Sequence, residues 1–138
     1  MEELDELKHA ARNGDREAIW KVGDFYREAK LGTRYSPKLA FRWYAESALA
    51  GSATGQNNVG AAFENGVGCE QSYAKAAKWY RLAAAQGCGV AMANIGFLYL
   101  YGFGVKPNRK EALGWFKRAA ALGCPRSKRI LKTVRAED

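Results

Sequence analysis

The chain has 138 residues, of which 48% are hydrophobic and 26% charged, and it carries a formal net charge of +8. This is the balance of a soluble globular domain large enough for one continuous core, and it excludes a low-complexity disordered chain. No apolar run approaches the roughly 18 residues of a membrane-spanning helix.

The charge is unevenly placed. Residues 1–17 hold six acidic and three basic side chains, whereas residues 106–138 hold ten basic and three acidic ones. Such an asymmetry can steer an acidic partner toward the C-terminal end, or it can be simply a solvated surface.

Residues 1–13 predict a lone leading helix. This start is acidic and lacks the basic flank and apolar segment of a secretion signal, so a cytoplasmic location is expected, or a periplasmic or secreted one if a leader precedes it. Three tandem units follow, at 14–50, 51–86 and 87–122, and residues 123–138 predict a C-terminal cap helix, the whole forming a single repeat domain. The periodicity is explicit: Ala40, Ala76 and Ala112 are 36 apart, as are Trp43, Trp79 and Trp115. Fixed spacing of this kind is the signature of a stacked repeat.

Each unit reads as two helices. The first carries Val22, Gly23 and Tyr26, then Val59, Gly60 and Phe63, then Ile95, Gly96 and Tyr99. Glycine inside a helix costs up to about 1 kcal/mol relative to alanine, so its recurrence calls for close approach of the partner helix. Gly66 and Gly102 fall where a left-handed C-cap is needed, with Gly68 and Gly104 completing the turn. Neither "GVG" nor "GFG" follows a strand or ends in Gly-Lys-Ser/Thr, which excludes a phosphate loop. The first unit replaces this turn with "EAKLGTRYS".

The second helix of each unit starts at Ser36, Ser72 or Asn108, side chains that cap a free amide, with Pro37 placed where its missing N–H costs nothing. Ala40, Trp43, Tyr44 and Ser47 share one face, echoed by Ala76, Trp79, Tyr80 and Ala83. In the cap helix Ser127, Ile130, Leu131 and Val134 point inward while Lys128, Lys132 and Arg135 stay in water. Lys132 stands in the column of Gly60 and Gly96, where no further helix needs admitting.

The columns "NVGAAFENGVGCEQSYAKAAKWYRLAAAQG" and "NIGFLYLYGFGVKPNRKEALGWFKRAAALG" resemble the Sel1-like repeats, relatives of the tetratricopeptide repeats. The resemblance covers residues 14–123. It implies an all-α fold, a right-handed α-solenoid of antiparallel helix pairs, with three repeats between terminal capping helices. It also implies a non-enzymatic scaffold or adaptor that binds a protein or peptide on a concave face lined by the first helices. On that face the resemblance places Trp20, Asp24, Asn57, Ala61, Ala93, Phe97, Leu100, Tyr101, Arg126 and Arg129. Phe97, Leu100 and Tyr101 are the sharpest feature: exposed together they mark an interaction site, and covered by the cap helix they are core.

Catalytic and metal constellations are not expected. His9 is the one histidine, and Cys69, Cys88 and Cys124 lack paired spacing; free thiols suit a reducing compartment. No cofactor is expected. Asn58 and Asn94 invite comparison with the carboxylate-clamping asparagines of tetratricopeptide domains, but the matching basic residues are out of register, which leaves a structural role. Two other functions stay open. Nucleic acid or an anionic surface could bind "KPNRK" and "RSKRILKTVR", and a carbohydrate-active enzyme could use Glu17, Asp24 and Glu28.

Overall fold

A computed structural model describes residues 2–28 and 36–137. The segment 29–35, which holds most of "EAKLGTRYS", and the side chain of Arg135 lie outside the described residues. Among the described residues there are eight α-helices and no strand. Their order is α1 (Glu2–Arg12), α2 (Arg16–Glu28), α3 (Pro37–Leu49) and α4 (Ala53–Asn65). Then come α5 (Tyr73–Ala85), α6 (Gly89–Tyr101), α7 (Arg109–Ala121) and α8 (Pro125–Glu137). Each helix packs on the next in the chain, and α2 also touches α4 across the repeat, so the hairpins α2–α3, α4–α5 and α6–α7 stack as a helical solenoid.

Local chemistry fixes the helix ends. Ser36, Ser72 and Asn108 are the N-caps of α3, α5 and α7, accepting from the backbone N–H of Leu39, Lys75 and Glu111. Such caps contribute about 1 kcal/mol each. Gly66 and Gly102 close α4 and α6 in the left-handed region at φ 66° and 71°. One backbone bond then folds each second helix back on its first: Ser36 N–H to Tyr26 carbonyl, Ser72 to Phe63, and Asn108 to Tyr99, at 2.9, 2.8 and 2.9 Å. The first unit makes this bond without a Gly-x-Gly turn, so its different loop sequence leaves the hairpin closure unchanged.

The recurring helix glycines serve a ring. A Cβ added at Gly23, Gly60 or Gly96 would stand 2.8, 2.6 or 2.7 Å from the aromatic ring of Tyr44, Tyr80 or Phe116. The close approach anticipated between backbones is therefore chiefly made by an aromatic side chain lying flat against bare helix. Tyr80 and Phe116 are fully buried there, and burying a ring of this size stabilises by roughly 2–3 kcal/mol. Around them Ala76, Ala83, Ala112 and Ala119 let the rings interdigitate. Successive units are joined in the same way, since Gly68 lies against the backbone of Pro37, and Gly104 against Tyr73 and Ala74, at the starts of the preceding α3 and α5.

The first and last helices pack on the stack. Leu4 of α1 is buried with Val22 and Phe25. Ser127 and Leu131 of α8 are buried and Ile130 and Val134 half-buried, while Lys128 and Lys132 are exposed.

One substitution tests the ring contact in both directions. Gly60→Ala is expected to lower stability by about 1–3 kcal/mol, because overpacking against Tyr80 outweighs the gain in helix propensity. Gly114→Ala, in α7 with nothing within 4 Å of the new methyl, is expected to raise it by up to about 1 kcal/mol. Urea unfolding followed by circular dichroism reads both.

Candidate functional site

The first helices α2, α4 and α6, together with α8, share one face, and polar side chains tie them into it. Asn94 donates to Asn57 Oδ1 at 3.0 Å and accepts from the Arg126 guanidinium at 2.7 Å, linking α4, α6 and α8. Both ends of the Asn94 amide are thus used within the fold, which is the structural role. Arg126 also lies over the Phe97 ring, 4.7 Å from its centroid. Asn58 and Ala61 instead line a small cavity of about 120 Å³ with Arg27, Phe41 and Tyr44.

Beyond Arg126 the face opens into a cleft of about 540 Å³ between α6 and α8. Its walls are Phe97, Leu100 and Tyr101 on one side and Arg129, Ile130, Thr133 and Val134 on the other, with Arg109 from the start of α7. Phe97 and Leu100 are half-buried, and Tyr101 is 58% exposed. The cap helix therefore neither covers the apolar group nor leaves it flat; it forms the facing wall. Phe97 packs edge-on against the buried Phe116 at 5.1 Å, which fixes the floor of the cleft. At its mouth the rings continue, Phe97 to Tyr101 at 6.0 Å, Tyr101 to Phe103 at 5.6 Å, and Phe103 to Tyr73 at 5.0 Å.

The other two units close the equivalent positions with internal polar pairs. Tyr44 donates its hydroxyl to Asp24, which also pairs with Arg27 at 3.5 Å. Tyr80 donates to Glu64 at 2.8 Å. Burial, then the carboxylate at the hydroxyl, pushes both phenols well above the ordinary tyrosine range, so they remain donors at any physiological pH. In the third unit Phe116 replaces the tyrosine, with Phe97 and Leu100 in the columns of Asp24 and Glu64. Hydroxyl and carboxylate are lost together, and what remains is apolar and open.

The ten residues expected on this face are thus only partly brought together. Phe97, Leu100, Tyr101 and Arg129 form the cleft, Arg126 borders it, and Asn57 is joined to it through Asn94. Ala61 belongs to the small cavity. Asp24 is held by Tyr44, and Trp20 is half-buried against the α3–α4 core with its indole N–H on Glu17 at 2.6 Å. Ala93, expected in the groove, is fully buried, because it belongs to the core shared by α5, α6, α7 and α8. Arg109 was not foreseen as part of the face; its sequence position, at a helix start distant in the chain, gives no sign that it reaches α8. Ile130 and Val134 read as core and serve also as the cleft's second wall.

Chemistry beyond binding finds little support in these positions. Glu17 and Asp24 hold structural hydrogen bonds, and Glu28 pairs with Arg27 at 2.8 Å. Among the described residues no group of three or more His, Cys, Asp or Glu side chains could hold a metal ion. None of the described helices is long and apolar enough to cross a membrane. Cys69, Cys88 and Cys124 are free and half-buried. Burial raises the Cys69 thiol; at Cys124 burial acts in the same sense, but hydrogen bonds from Ser127 and Arg126 leave it lowered.

Comparison with known proteins gives a consistent picture. The Sel1 repeat family model matches residues 16–52, 53–88 and 89–124. Among solved structures the chain is similar to a Sel1 repeat protein from Oxalobacter formigenes, at 36% identity and a TM-score of 0.76 over 83% of this chain and 47% of that one. It is also similar to a protective antigen of uropathogenic Escherichia coli displaying an SLR fold, at 32% identity and a TM-score of 0.81 over 86% of this chain and 25% of the other. The chain therefore spans about half of the first and a quarter of the second. Helicobacter pylori cysteine rich protein B shares the fold at 23% identity, with a TM-score of 0.69 over 92% of this chain and 96% of that one. No curated protein matches the sequence.

The polar-to-apolar exchange in the third unit is testable by a double-mutant cycle. Phe116→Tyr alone is expected to cost about 1–3 kcal/mol, from an unpaired buried hydroxyl, and Leu100→Glu alone to cost less, because its carboxylate enters a cleft whose lining includes Arg109 and Arg129. Combined, they recreate the pair of the second unit, and the double variant is expected to lose less than the sum by about 1 kcal/mol. Strict additivity in chemical denaturation would show that the two columns do not meet as Tyr80 and Glu64 do.

Proposed function

This chain belongs to the Sel1 repeat family, and from that premise we propose that it is a non-enzymatic scaffold binding a protein or peptide on its concave face. Sel1 repeat proteins generally act in protein–protein interaction, and their repeats are typically non-catalytic. The observation that carries the reading for this chain is the cleft between α6 and α8, where the half-buried Phe97 and Leu100 and the exposed Tyr101 stand opposite Ile130 and Val134. Apolar and aromatic side chains grouped beside arginines are the usual composition of binding hot spots. The two preceding units support the reading by contrast, since their acids and tyrosines are engaged with one another. Docking is therefore assigned to the C-terminal third of the face.

The test is affinity capture at low and moderate salt, with wild type and Tyr101→Glu compared after thermal unfolding shows both folded. A protein partner retained by wild type at both salts and lost with the variant is expected. Nucleic acid recovered equally by both and shed by salt would instead assign the function to the exposed basic residues of α7 and α8. A thermal collapse of Tyr101→Glu would return this residue to the core, against its 58% exposure.

A further inference from the structure

The cleft has a chemistry narrower than protein binding in general. Resting on the reading just given, we propose that its occupant is an acidic peptide segment, anchored by one large apolar side chain and flanked by carboxylates. The apolar anchor follows from the walls: Phe97 and Leu100 face Ile130 and Val134 across a space of about 540 Å³, ample for a bulky side chain and its neighbouring backbone. The flanking charge follows from what else lines that space. Two arginines, Arg109 and Arg129, contribute to it, and the described lining residues include no aspartate or glutamate.

The comparison between units sharpens the argument. Each of the first two units supplies its own carboxylate and a tyrosine to hold it, Asp24 in the column of Phe97 and Glu64 in that of Leu100. The third unit supplies neither, because Leu100 stands in the Glu64 column and Phe116 in that of Tyr80. An incoming carboxylate therefore finds the exposed Arg129 and, among the described lining residues, no like charge. Exposed Arg126, Lys128 and Lys132 on α8 add to the same positive field, which favours encounter with an acidic ligand.

The rings make single-stranded nucleic acid the poorer fit. Base stacking needs free aromatic faces. Phe97 and Tyr101 stack on one another at 10° between planes, and Arg126 covers Phe97, so these faces are largely taken within the protein.

Selection of a random dodecapeptide library on the immobilised full chain, followed by fluorescence anisotropy of the enriched peptides, tests the proposal. Arg129→Glu reverses the charge at an exposed site, and Tyr101→Ser removes an exposed part of the apolar wall; both are checked for unchanged thermal unfolding. Enriched peptides are expected to carry Leu, Phe or Trp beside Asp or Glu. They are expected to bind at least about tenfold more weakly to each variant. Peptides lacking acids that lose affinity with Tyr101→Ser but not with Arg129→Glu would overturn the acidic occupant while leaving the docking surface in place. No enrichment, or affinities that neither variant changes, would overturn both. Labelled oligothymidylate binding in competition with the enriched peptides would replace the peptide with nucleic acid as the ligand of this cleft.

Discussion

The fold depends on one repeated contact, an aromatic ring laid on the bare backbone of a helix glycine. In every hairpin the ring of the second helix, Tyr44, Tyr80 or Phe116, occupies the volume that a methyl at Gly23, Gly60 or Gly96 would fill. The contact sets how near the two helices lie, and it buries Tyr80 and Phe116, the largest fully buried side chains, in second helices otherwise rich in alanine. A helix of alanines has high propensity but little to bury. The ring supplies the missing area, and the glycine opposite makes room for it.

That local solution propagates because each unit also holds its neighbour. The turns between helices place Gly68 and Gly104 on the helix starts of the preceding unit, and the amide row from Asn57 through Asn94 to Arg126 ties successive first helices on the other side. Stability in such a stack is shared between units and the interfaces joining them. The two end helices differ in composition: α1 turns acidic side chains outward, and α8 carries Lys132 in the column of Gly60 and Gly96.

Most of this architecture was legible because its determinants are local and repeated. The caps at Ser36, Ser72 and Asn108, the left-handed Gly66 and Gly102 and the alternation of small and large residues each follow from rules within one turn of helix. The ring–glycine pairing was half legible: the glycine column demanded something close, but which atom came close depends on helices some twenty residues apart. The cleft was less legible still. Phe97, Leu100 and Tyr101 read as either core or surface, because the sequence gives the faces of α6 and α8 without the angle at which they meet. Ala93 was misplaced for the same reason, and Arg109 became part of the face through packing that no periodicity encodes.

The closed tyrosine–carboxylate pairs of the first two units have a consequence for how a ligand would lie. A solenoid of identical units offers an extended chain several equivalent alignments, each displaced by one repeat, and a partner held in all of them has no defined position. Here the first two units engage an acid with their own tyrosine, with only a small space of about 120 Å³ beside Tyr44, and the third holds a cleft of about 540 Å³. For a peptide bound as proposed, that inequality would favour one register over the others, and a short segment would suffice to find it.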